Sequence, residues 1–410
     1  MPEAFGQWGV GGVHPDQPMS GLSGGQKTRV LLAGITIHSA ETVLLDEPSN
    51  HLDTDGRTIL YDYIRTTKNT LVVVSHDRTL LNLLSRVAEV GRSGITVYGG
   101  NYDLYIEQKG IALDALDRDI RGREKALRKA KEAEREAIQR QQRLDVRGKK
   151  KQEKAGLPTI SMNTFRNNAE KSTARMKDVH AEKTGSIERQ LDQLRKELPD
   201  KDKMRFGFGD PALHRGKVLV SISGVNFVFG GRRLWSQPPD LEIVSGQRLA
   251  IRGANGSGKT TLIRMVLGDL QPSEGSIAKA GFASVYIDQD YSLIGDRLTV
   301  AEQARAFNNS GLREHEIKSR LARFLFGPDH WEKPCGVLSG GEKMRLCLCC
   351  LTIGAQSPDM IVLDEPTNNL DIQNIEILTA AINEYRGTLV VVSHDECFLQ
   401  EAGVSLDHFL

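Results

Sequence analysis

Long apolar runs, aromatic residues and net charge are all scarce in this chain. No stretch approaches the roughly 18 consecutive apolar residues of a membrane span, and the first residues lack the basic and apolar regions of a secretion signal. A cytoplasmic protein is therefore expected. Only five cysteines occur, Cys335, Cys347, Cys349, Cys350 and Cys397, which is no framework for extracellular disulfides. Three of them crowd into one apolar stretch, where buried thiols packed in a helix account for them better than a metal site does. Aromatics make up 6% of residues, and 54 Lys or Arg against 53 Asp or Glu leave a formal net charge of +1. With 410 residues and 39% hydrophobic content, the chain is long enough for at least two domains with cores of their own.

Another scarcity is more informative. The motif Leu22, Ser23, Gly24, Gly25, Gln26 returns as Leu338, Ser339, Gly340, Gly341, Glu342, yet a glycine-rich phosphate loop occurs once. Around the two motifs runs an internal repeat. Val43 to Glu47, Asn50 to Asp53 and Leu71 to His76 reappear in register as Ile361 to Glu365, Asn368 to Asp371 and Leu389 to His394, and Asp46 precedes His76 by the same interval as Asp364 precedes His394. The runs Thr42 to Leu45, Met360 to Leu363, Thr70 to Ser75 and Thr388 to Ser393 are continuously apolar, as in parallel strands buried on both faces. Segments of helical length separate them, which predicts an α/β fold. Ahead of the second motif, Val218 to Phe229, Gln247 to Arg252 and Thr260 to Leu267 read as strand, strand and helix. Ahead of the first there are only about 20 residues, too few for the equivalent lobe.

Gly253, Ala254, Asn255, Gly256, Ser257, Gly258, Lys259, Thr260 and Thr261 satisfy GxxxxGK[ST] between a strand and a helix. Backbone donors at a helix N-terminus cradle phosphates, Lys259 reaches the β and γ phosphates, and the Thr260 hydroxyl is a ligand for Mg²⁺. Asp364 ends an apolar run as the matching Mg²⁺-organising acid, and Glu365 beside it is placed to polarise water.

Between the repeats, Leu104 to Leu198 is rich in Ala, Leu, Gln, Lys, Glu and Arg, which predicts long helices, with a polar break at Gly148 to Thr159 turning one back on another. Arg118 to Lys177 holds 19 Lys or Arg against 8 Asp or Glu. Such a segment is either a solvated spacer or a surface for RNA phosphates.

These motifs resemble those of the ABC-F family of soluble tandem ABC ATPases, specifically at both signatures, at Asp46 to Asp53, at Asp364 to Asp371, and at Tyr98 to Tyr102 with Tyr105 and Gln108. The resemblance covers nearly the whole chain. It implies P-loop ABC ATPase domains joined by a long helical, antiparallel coiled-coil linker: an incomplete first ABC domain over 1–103, the basic linker over 104–200, and a second ABC domain with the full motif set over 201–410. It implies that Gln289 and His394 join Glu365 in catalysis, Gln289 also sensing the metal held by Thr260 and Asp364. Phe229 resembles the aromatic that stacks on adenine, with core packing as the other reading. The head-to-tail arrangement of the family implies that Ser23, Gly24, Gly25 and Gln26 close on ATP held by residues 253–261. The other composite site lacks its phosphate loop, although exchange between two copies could assemble sites between chains.

ATP and Mg²⁺ are the implied cofactors. The ribosome, through rRNA or tRNA, is the implied partner, with Arg147, Lys149, Lys150, Lys151, Lys154, Arg166 and Lys171 as contacts. A membrane subunit and sequence-specific DNA are not expected, and the helical insertion has no Cys-x-x-Cys of the zinc-hook kind. A regulatory or scaffolding protein that binds ATP without useful turnover is the alternative reading.

Overall fold

Where the sequence is apolar at consecutive positions, the chain forms parallel strands, and those of the second repeat alternate their side chains between two cores. The computed structural model describes residues 2–38, 40–91, 94–155, 175, 178–179, 181–195 and 206–410, without the side chains of residues 145 and 148–155. Two compact units result, Met1–Val97 with Lys203–Leu410, and Tyr98–Asp202.

In the first unit, five parallel strands run in the order Ser284–Ile287, Met360–Asp364, Thr388–Val392, Arg248–Arg252, Leu406–Phe409. The side-chain period of two sends Ile361, Leu363, Leu389 and Val391 into a core with the helices Gly340–Ile353 and Ile372–Glu384. Met360, Val362, Val390 and Val392 enter a second core with the helix Lys259–Leu267 and the antiparallel strands Val218–Asn226 and Leu241–Val244. The five cysteines are free; Cys347, Cys349 and Cys350 sit buried in the helix Gly340–Ile353, where burial pushes each thiol up from its ordinary value.

The first repeat reproduces this register, and its sheet departs from the expectation of strands buried on both faces. Thr42–Asp46 pairs in parallel with Thr70–Val74, Asp46 opposite Val74 as Asp364 is opposite Val392. Val43 and Leu45 are buried against a core that contains Trp8, Leu52, Leu60 and Ala33. Leu44, Val72 and Val74 are 75%, 53% and 56% exposed, whereas their repeat counterparts Val362, Val390 and Val392 are buried. In the second repeat the helix Lys259–Leu267 and the antiparallel strands Val218–Asn226 and Leu241–Val244 cover that face; among the described residues nothing equivalent covers it in the first. The two faces differ in energy accordingly. Val362→Thr is expected to destabilise the fold by about 1–3 kcal/mol, because it buries a hydroxyl without a partner. Leu44→Thr is expected to change stability by less than about 0.5 kcal/mol. Urea unfolding of both variants checks this, and equal losses would contradict the exposure difference.

Both signatures start helices by reciprocal capping. Ser339 Oγ accepts from the Glu342 amide and Glu342 accepts from the Ser339 amide; Ser23 and Gln26 exchange the same pair of bonds at the start of Gly24–His38. Glu47 and Glu365, at equivalent places after their strands, both carry a positive φ, 43° and 48°. Each amide is tied to the neighbouring strand, to the carbonyls of Val74 and Val392, so the turn is over-determined despite the strain of a left-handed glutamate.

The second unit contains the 54-residue helix Tyr102–Ala155 and a helical stretch over 181–195. Arg195–Glu124 and Lys131–Glu188 ion pairs, both 2.7 Å, together with Arg123–Gln190 at 2.8 Å, set the two antiparallel. The expected break does not begin at Gly148, since the helix continues through it to Ala155; 156–159 lie outside the described residues. Arg147 is exposed on this helix. The side chains of Lys149, Lys150, Lys151 and Lys154 are not described, and Arg166 and Lys171 lie outside the described residues.

Candidate active site between the repeats

The strand Arg248–Arg252 delivers the chain into the glycine loop, and Gly258, at φ 97°, turns it into the helix Lys259–Leu267. A Cβ at Gly258 would come within 2.7 Å of Leu234 Cδ2, so conformation and space both demand glycine here. Leu234 and Trp235 buttress the loop, and Trp235 Nε1 donates to the Ser257 carbonyl at 2.7 Å. Lys259 Nζ donates inward to the carbonyls of Gly253 and Ala254, at 2.8 and 3.1 Å. Burial lowers its pKa from the ordinary value, which favours a site that brings it anionic partners. Ser257 Oγ is buried without a hydrogen-bond partner among the described residues. An orphaned hydroxyl, a lysine curled over its loop and a helix N-terminus together make a donor set suited to phosphate oxygens.

Opposite the loop stands the acidic strand end. Asp364 Oδ2 accepts from Thr260 Oγ1 at 3.0 Å and from the Tyr286 hydroxyl at 2.9 Å, so the two hard oxygen ligands expected for Mg²⁺ are brought together. Thr260, Thr261, Tyr286, Gln289, Asp364 and Glu365 border a cleft of about 490 Å³ over the loop. The residues present fit both a nucleotide triphosphate and a hydrated Mg²⁺. Burial pushes the Glu365 carboxyl up to about 7, against the lowering effect of Arg57 and Lys259. Burial also pulls His394 down to about 4, helped by the Lys259 and Arg57 cations. The 3.4 Å contact of His394 Nε2 with Glu365 Oε1 is thus made by a neutral imidazole near pH 7 and carries no ion-pair energy.

From the other side, the first repeat closes a cleft of about 280 Å³. Ser23, Gly24, Gly25, His51 and Leu52 of the first repeat face Asn255, Gly256, Gln289, Glu365, Asn368 and His394. Asn255 makes the junction: its side chain donates to the His51 carbonyl at 2.9 Å, and its amide donates to Asp53 Oδ2 at 3.3 Å. Asp53 also pairs with Arg29 and caps the helix Thr54–Thr66 through the Gly56 amide. A Cβ on Gly25 would sit 2.8 Å from the His51 carbonyl and 3.0 Å from Asn255 Nδ2, so this signature glycine permits the close approach.

Not every expected residue meets there. Gln26 lines an adjoining cleft with Arg29 and Asp53 and not the one that holds Glu365. Phe229 is 79% exposed on a small hairpin with Arg232–Arg233, which overturns core packing as its reading, and it borders neither cleft described above. In the first repeat, Glu47 and His76 line a separate cleft with Asn368, Asn369 and Asp395, and no phosphate loop contributes to it. Asp53, His51, Thr54, Arg29, Tyr286 and Trp235 went unnoticed as site residues in the sequence. Asp53 left a signal, since Asp371 repeats it as a helix cap; the others reach the site only through folding.

The ABC transporter family matches residues 237–368. The chain is 31% identical over 395 residues to the uncharacterized ABC transporter ATP-binding protein YfmM of Bacillus subtilis, covering 96% of this chain and 68% of that protein. It is 29% identical over 394 residues to ABC transporter F family member 5 of Arabidopsis thaliana, covering 94% of this chain and 51% of the relative. It spans about half to two thirds of the length of the curated relatives that it matches. A crystal structure of archaeal ribosome recycling factor aABCE1, complexed with the ribosomal stalk protein aP1, superposes with a TM-score of 0.61 at 22% identity, over 98% of this chain and 63% of the other. That likeness is one of fold.

Proposed function

Given that the chain belongs to the ABC-F family of tandem ABC ATPases, we propose that it hydrolyses ATP in the cleft between its repeats and couples that turnover to a ribosome. One observation carries the reading. The signature Ser23 to Gly25 and the pair Glu365 and His394 border the same cleft, against the phosphate loop.

Thr260 and Asp364, with Gln289 beside them, would hold Mg²⁺, which when bound would neutralise charge on the phosphate oxygens. Lys259 turns its ammonium from the loop carbonyls to the phosphate oxygens, and the helix N-terminus adds backbone donors. Glu365 orients water for in-line attack on the γ phosphorus and receives its proton as the bond to the bridging oxygen breaks. His394 donates toward the γ phosphate, and the signature of the first repeat closes the opposite wall. Nucleotide that touches both repeats favours the closed state, and cleavage followed by phosphate release removes that preference.

Domain limits of 1–103, 104–200 and 201–410 suit this reading, with the first ABC domain supplying a signature and the second the loop. The ribosome is supported by the basic composition of 118–177 and by the fold shared with a ribosome recycling factor. Phosphate release by the purified chain, with and without ribosomes, tests the proposal. Turnover that rises with ribosomes, and ribosome cosedimentation that weakens with salt and with neutralisation of Arg147, Lys149, Lys150, Lys151, Lys154, Arg166 and Lys171, is the expected result. A folded chain that binds ATP without turnover would instead assign it a regulatory or scaffolding role.

A further inference from the structure

Thr54 opens the helix Thr54–Thr66 of the first repeat, and its hydroxyl oxygen lies 3.2 Å from Nδ1 of His394 in the second. On the far side of the ring, Nε2 lies 3.4 Å from Glu365 Oε1 and 3.5 Å from Lys259 Nζ. A neutral imidazole carries one N–H and one lone pair, and the bond made at one nitrogen decides what the other presents. If Thr54 accepted from Nδ1–H, the Nε2 lone pair would oppose Glu365 Oε1 whenever that carboxyl is ionised, the form in which it serves as a base. If Thr54 donates to Nδ1, the proton stays on Nε2 and faces Glu365 and the phosphate-binding cleft. Two of the three Lys259 N–H groups are held by loop carbonyls at 2.8 and 3.1 Å, and the 3.5 Å separation from Nε2 is the longest of its contacts, at the outer limit of a hydrogen bond.

The internal repeat adds an independent observation. The residue equivalent to Thr54 is Ile372, which opens the helix Ile372–Glu384 after Asp371 just as Thr54 follows Asp53. Isoleucine has no hydroxyl to offer. His76, the counterpart of His394, borders a separate cleft with Asn368, Asn369 and Asp395. The hydroxyl is thus a feature of the Thr54–His394 pair and not of the repeat.

We infer that Thr54 is a positioning residue, contributed by the first repeat, that holds His394 in its Nε2–H tautomer and aims that proton into the cleft. The value of this proton to turnover rests on the hydrolytic reading; the tautomer itself does not.

The test is two-bond ¹H–¹⁵N NMR of the full chain labelled at histidine, recorded without nucleotide, with His394→Ala assigning the resonance. The expected parent spectrum has an unprotonated Nδ1 and a protonated Nε2 at His394. Thr54→Val shifts it toward the other tautomer or a mixture, and Thr54→Ser keeps the parent pattern. In phosphate release, Thr54→Val lowers kcat roughly three- to tenfold, the worth of one neutral hydrogen bond, with KM unchanged, and Thr54→Ser restores it. A parent with protonated Nδ1, or a Thr54→Val spectrum identical to the parent, overturns the inference. A parent without turnover would sink the hydrolytic reading alone, since the spectra are taken without ATP.

Discussion

Glu365→Gln is expected to leave ATP binding intact and to lower phosphate release by at least about a hundredfold, the usual scale for removal of a positioned general base. The amide keeps the shape of the carboxyl and cannot take a proton from water. Because burial pushes Glu365 up to about 7, the group is already partly protonated near neutrality in the nucleotide-free protein, and glutamine imitates that neutral form. The substitution therefore asks nothing of the fold that the wild type does not already meet. Equilibrium binding of a fluorescent ATP analogue and steady-state phosphate release, measured on one preparation, separate the two effects. A variant that binds ATP and turns over at the parent rate would remove Glu365 from the chemistry.

Ser23→Arg is expected to be nearly as damaging, although Ser23 lies 342 residues away in sequence from Glu365. Ser23 borders the same cleft as Glu365 and His394, and a guanidinium on a long stem would occupy much of its roughly 280 Å³. It would also place a cation beside Lys259 and Arg57, which already press on His394. Turnover should fall by about two orders of magnitude, with nucleotide still held by the phosphate loop. The twin substitution Ser339→Arg is the control. It removes the same kind of helix cap, worth about 1 kcal/mol, from a signature that does not line this cleft. Equal losses of turnover in the two variants would show that cap removal, and not closure on the cleft, is responsible.

Local chemistry in the sequence determined the element types, the repeat, the phosphate loop and the acidic strand end. Continuous apolar runs choose parallel strands, a glycine-rich loop before a helix chooses a phosphate cradle, and Asp after an apolar run chooses a strand end near it. None of these needs distant residues. The two sheet faces of the first repeat were a different matter. Thr42–Asp46 and Met360–Asp364 read alike, and only the presence or absence of a covering lobe decides that Leu44 meets solvent while Val362 is buried. Likewise, Gly148 reads as a break, yet its cost in a helix is about 1 kcal/mol, small enough for a 54-residue helix to absorb.

The contacts of Asn255 with Asp53 and His51, of Tyr286 with Asp364, and of Thr54 with His394 were decided by tertiary structure alone. Each joins groups from separate elements: the Asn255 and Thr54 contacts depend on how the two repeats dock, and the Tyr286 contact on how two strands of one sheet pair, rather than on any local pattern. Sequence periodicity specifies which face of an element is apolar. It carries no record of which polar side chain across an interface will reach a given nitrogen, and the tautomer of His394 depends on that.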